Sequence, residues 1–165
     1  MSPERNLTGA VAGGIAAAAW ALQQPFDKRL FGTDYDDVEL LGKAVTRGRA
    51  WPVAGFAVHV ANGALFGAIY AQVKPRMPGP APLRGLTVAT MENFGLWPLG
   101  RLSDRWHPAR DELEPLGGNR RALAAATWRH AVFGILLGLL EERLSAATID
   151  RPGPVPATRA RSSVG

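Results

Sequence analysis

Cysteine is missing from all 165 positions of this sequence. A disulfide framework and a thiolate metal site are therefore excluded. Hydrolase and kinase signatures are missing too: there is no G-x-S-x-G, no H-E-x-x-H and no kinase motif. The "GAVAGG" stretch from Gly9 to Gly14 faintly suggests a phosphate loop. It lacks the preceding strand and the Lys-Ser/Thr ending that such a loop needs. Nothing here points to an enzyme.

Charge is also missing, but only from long blocks. The chain carries 19 Lys and Arg against 14 Asp and Glu, a formal charge of +5. These bases form no single stripe, which argues against a nucleic-acid partner. They flank uncharged runs instead, as bases do beside a lipid bilayer. Mean hydropathy is near zero because apolar and polar blocks alternate.

The runs are residues 6–26, 50–73, 84–101 and 121–143. A spanning helix takes roughly 20 residues, about 17 to 25. The first two runs meet this. The third is short and contains Glu92; the fourth contains Arg129 and His130. Those two also suit the core helices of a soluble protein. The first run, with Arg5 before it and "AAAA" ahead of Trp20, has a signal-peptide alternative.

Small residues dominate three of the runs. Gly9–Gly13, Gly63–Gly67 and Gly134–Gly138 are each four residues apart. Such pairs let membrane helices approach closely, within one chain or between copies in a homo-oligomer.

Two spellings recur. "HVANGALFG" from His59 and "HAVFGILLG" from His130 both read H-x3-G-x3-G. "WALQQPFDK" from Trp20 and "WPLGRLSDR" from Trp97 both read W-x-L-x4-D followed by a base. The chain is thus an all-α, polytopic membrane four-helix bundle built from two related helical hairpins, over residues 1–150. This organisation resembles that of small multi-pass bacterial inner-membrane proteins. Two crossings per hairpin imply parallel repeats, with loops one and three on the same side. The repeat counts against removal of the first run. Residues 151–165, rich in Pro, Arg and Ser, read as a disordered tail.

In the first loop Val38, Leu41 and Val45 predict a short amphipathic helix, on the membrane surface or simply solvated. Loops one and three share ten bases and nine acids; the termini and loop two share eight bases and four acids. We read both termini as cytoplasmic. Trp51, Trp97 and Trp106 are read as interfacial anchors and His107 as solvated.

Depth brings polar groups together. At 1.5 Å per residue His59, Glu92, Arg129 and His130 all lie about 12 to 14 Å into their runs. Asn62 and Asn93 lie beside them. Buried charges in lipid are costly and need partners. Glu92 is expected to pair with Arg129, and His130 to face His59. The layer has three readings. It can lock helix packing in an assembly protein. It can carry a proton, ion or small solute. It can hold haem between His59 and His130, or a transition metal with Glu92 added.

Overall fold

A computed structural model describes residues 3–149, and among them there is only helix and loop. Six α-helices follow in order: α1 Pro3–Phe31, α2 Asp37–Val45, α3 Trp51–Val73, α4 Ala81–Leu96, α5 Gly100–Trp106 and α6 Arg120–Ile149. The expected tail at 151–165 lies outside the described residues.

The helix ends follow local chemistry. Gly32, with φ +63, closes α1, and Thr33 N–H bonds back to Lys28 O at 3.1 Å. That is a glycine-terminated helix end. Asp36 caps α2 by accepting from Glu39 N–H. Pro75, Pro80 and Pro82 stop α3 and start α4. Pro98 forces a 3-10 turn between α4 and α5. Asn119 Oδ1 accepts from Arg121 and Ala122 N–H to begin α6.

α1 packs on α3, and α4 packs on α6. Both hairpins cross on the same chemistry. A Cβ at Gly13 would stand 2.1 Å from Gly63 O, and one at Gly67 2.1 Å from Gly9 O. In the second hairpin a Cβ at Gly85 would stand 2.0 Å from Gly134 O, and one at Gly138 2.2 Å from Ala81 O. So the glycine faces are spent inside the chain. Opposite each H-x3-G-x3-G helix runs a row of small residues, Gly9–Gly13–Ala17 or Ala81–Gly85–Ala89. These rows, not the W-x-L-x4-D spellings, are the matching positions. By this register Trp20 corresponds to Glu92, and Trp97 falls five residues later in its own unit.

The two hairpins meet mainly through α1 and α6, while α3 and α4 stand apart. α2 folds down on α3, where a Cβ at Gly55 would stand 1.9 Å from Val38 O. Loops one and three do share one end. Lys43 and Arg47 pair with Glu112, and Thr33 Oγ1 donates to Glu114 at 2.7 Å. At the other end Lys74 pairs with the buried Glu141.

Two helical stretches, Trp51–Arg76 and Arg120–Ala147, are long and apolar enough to cross a membrane. The other two expected spans fall short. α4 has 16 residues, about 24 Å at the helical rise, because Pro98 ends its regular hydrogen bonding. α1 has the length, but Ala, Gly and two Gln dilute its apolarity.

The helix faces are inverted relative to a water-soluble bundle. On α1, Leu7, Leu22, Phe26 and Leu30 are exposed, while Gly9, Gly13, Gln24 and Asp27 are buried. Arg129 has no exposed surface at all.

Candidate functional site

The polar layer divides into a closed ionic cluster and an open cleft. Arg129 of α6 anchors the first. Its Nε donates to both oxygens of Asp27 at 3.0 and 2.9 Å, and Nη2 donates to Asp27 Oδ1 at 2.5 Å. Nη1 donates to Asp37 Oδ2 at 2.8 Å, and Nη2 also reaches Tyr35 O at 3.0 Å. The guanidinium lies 5.2 Å from the centre of the Tyr35 ring. A planar fork is suited to serving two carboxylates and a carbonyl at once.

Asp37 collects further donors. Tyr35 Oη–H donates to Oδ1 at 2.5 Å, and Trp20 Nε1–H donates to Oδ2 at 3.1 Å. Gln24 fastens the loop from beneath, accepting from Asp37 N–H and donating to Asp36 Oδ1. Burial works to raise the Asp37 pKa, but the Arg129 charge and the Tyr35 hydroxyl outweigh it and hold it below the usual carboxylate range. Burial, then the Asp37 charge, push the Tyr35 phenol well up, so it stays a donor.

The expected Glu92–Arg129 pair does not form. Glu92 Oε2 instead meets His130 Nε2 at 2.8 Å. The physical reason is the length of α1. The first uncharged run stops at Phe26, yet the helix continues to Phe31 and carries Asp27 into the interior. Loop one then returns Asp37 to the same place. Asp27, Asp37, Tyr35, Trp20 and Gln24 were missed as site residues. Their signal was present: an arginine inside an apolar run demands an acid, and Asp27 ends the repeated W-x-L-x4-D spelling. The equivalent acid in that spelling, Asp104, accepts instead from Leu116 and Gly117 N–H.

The second part is a cleft of about 400 Å³ between α3 and α4, beside α2 and the Pro98 turn. α3 contributes His59, Asn62 and Phe66; α4 contributes Glu92 and Asn93. Trp20, His130 and Phe133 line its inner side, with Leu40, Leu41 and Trp97 nearer the loops. Trp97 is therefore a cleft residue, stacked edge-on to Tyr35, more than a membrane anchor. His107 is bonded, not merely solvated. Its Nδ1 accepts from Ala109 N–H, so Nε2 carries the proton and donates to Leu40 O at 2.9 Å.

His59 and His130 both line the cleft. Each stands edge-on to the Trp20 indole, with ring centroids 5.1 and 4.5 Å away. His130 Nδ1 donates to Ala126 O at 2.7 Å, and its Nε2 stands 2.8 Å from Glu92 Oε2. Asn93 donates to Thr127 Oγ1 at 3.0 Å. Asn62 is exposed on the cleft. His59 is 7% exposed, and its Nε2 is buried without a partner.

Metal or haem fits these residues poorly. Among the described residues no three His, Asp or Glu side chains stand together as a metal-ligand set. Bis-histidine ligation needs two free ring nitrogens, and only His59 Nε2 is free. The chain matches no protein-family model, no curated protein and no solved structure.

Proposed function

We propose that this chain is a small integral membrane protein in which the Asp27–Arg129–Asp37 cluster locks four helices together. The cleft on its open flank receives a small solute. The observation that carries the membrane part is the inversion of the helix faces. Ionised groups are sequestered inside, and large apolar side chains point outward on α1, α3 and α4. In water that arrangement loses stability on both counts; in lipid it satisfies both.

Two of the roles open in the sequence then fall to different residues. The ionic cluster is fully hydrogen-bonded and serves packing. His59, Asn62, Glu92 and His130 border open volume and serve binding. A four-helix assembly with α1 and α4 crossing beside α3 and α6 is part of this reading.

The test exploits the absence of cysteine. The chain is expected in the membrane fraction and resistant to alkaline carbonate extraction. Asn62→Cys is expected to react with a membrane-permeant maleimide, while Ala89→Cys, fully buried, does not. Recovery in the carbonate supernatant would end the membrane reading. Equal inertness of both cysteines would end the cleft reading.

A further inference from the structure

The unpartnered nitrogen of His59 gives the cleft a chemical preference. His59 Nε2 is buried without a partner on a ring that lines the cleft. A buried ring nitrogen left unsatisfied is unfavourable, and a ligand group that bonds it is selected strongly over an isostere that cannot. A hydroxyl both donates and accepts, so it serves either tautomer of the imidazole.

The surroundings narrow the donor. Cations find no ligand set there. Anions find no free cation, because Arg129 is committed to Asp27, Asp37 and Tyr35. What remains is a neutral group with one O–H or N–H. Aromatic edges and faces from Trp20, Phe66, Trp97 and Phe133 line the space, which favours a flat ring. A volume of about 400 Å³ falls in the range of ordinary small-molecule sites.

We propose that the cleft binds a neutral, lipid-soluble ring compound bearing a hydroxyl, and that the His59 imidazole tilts toward it so that the hydroxyl hydrogen-bonds Nε2. This rests on the membrane-embedded cleft described under the proposed function. It adds the class of ligand and the atom that selects it.

The test compares two probes of nearly equal size, 4-butylphenol and 4-butyltoluene. Binding to the full chain in lipid nanodiscs is measured by ligand-observed NMR and corrected with empty nanodiscs. The wild type is expected to prefer the phenol at least tenfold. His59→Leu is expected to bind both probes with that preference reduced to within about twofold. His59→Gln, which restores a hydrogen-bonding group, is expected to regain part of it. Melting curves identify any variant that fails to fold, and 4-butylanisole, which lacks the donor, is then measured on the wild type and is expected to bind as weakly as the toluene. Equal binding of both probes by the wild type overturns the hydroxyl preference while leaving a cleft. An unchanged preference in folded His59→Leu overturns the role of His59. No binding of either probe overturns the ligand class, whereas carbonate extraction and maleimide labelling judge the membrane-embedded cleft separately.

Discussion

Arg129 on α6 grips Asp27 on α1 through three hydrogen bonds of 2.5 to 3.0 Å, at the seam where the two hairpins meet. Both side chains are almost wholly buried. Removing one partner of such a pair strands the other charge, which costs about 3–5 kcal/mol. Arg129→Ala is expected to lose about that much on titration with a denaturing detergent, followed by helicity. Arg129→Lys is expected to fall between, since one ammonium cannot replace the fork. Wild-type stability in Arg129→Ala would show that the seam is held by packing alone.

The glycine crossings give a graded prediction. Gly13→Ala and Gly85→Ala each drive a methyl into a backbone carbonyl, so the helices must separate. Overpacking of this kind costs about 1–3 kcal/mol. Gly95, on α4, has nothing within 4 Å of an added Cβ. Gly95→Ala is expected to be neutral or stabilising by up to about 1 kcal/mol. Equal melting temperatures for all three variants would contradict the crossings.

Acid should loosen the loop-one end. Asp37 is held below its ordinary value in the folded state, after burial is outweighed by Arg129 and Tyr35. A depressed carboxylate contributes stability that is present above its unfolded pKa and lost as pH falls through the folded one. The unfolded value is about 3.9, so the loss is expected below about pH 4, and Asp37→Asn should flatten it. An unaltered acid profile in Asp37→Asn would remove Asp37 from the account.

His107 ties loop three to α2 through one bond to Leu40 O. A neutral hydrogen bond contributes about 1 kcal/mol. His107→Ala is expected to speed amide exchange in α2 about fivefold, with α6 unchanged. Uniform acceleration everywhere would mean global destabilisation instead.

Helix content and the loop ends were legible because their signals are local: uncharged runs, prolines, an Asp36 cap and Gly32. The shared end of loops one and three followed from counting crossings. In both helices that carry the H-x3-G-x3-G spelling, its glycines form the close crossing. The W-x-L-x4-D spelling marked Asp27 but not a shared role, because Asp27 and Asp104 perform different tasks. Depth grouped Glu92, His130, Arg129 and His59, but it could not choose partners: Glu92 meets His130, while Arg129 meets Asp27 and Asp37. That choice depended on α1 running past its first charge and on loop one folding inward, both of which are tertiary outcomes.

α6 has 30 residues and α4 only 16. In the bilayer proposed above, one flank therefore meets a hydrocarbon slab deeper than α4 can fill. Lipid there must thin or pucker, and each ångström of mismatch costs a fraction of a kcal/mol. The dimple would fall beside the α3–α4 gap, so this chain should favour thin membranes and carry a notch in the lipid at its binding flank.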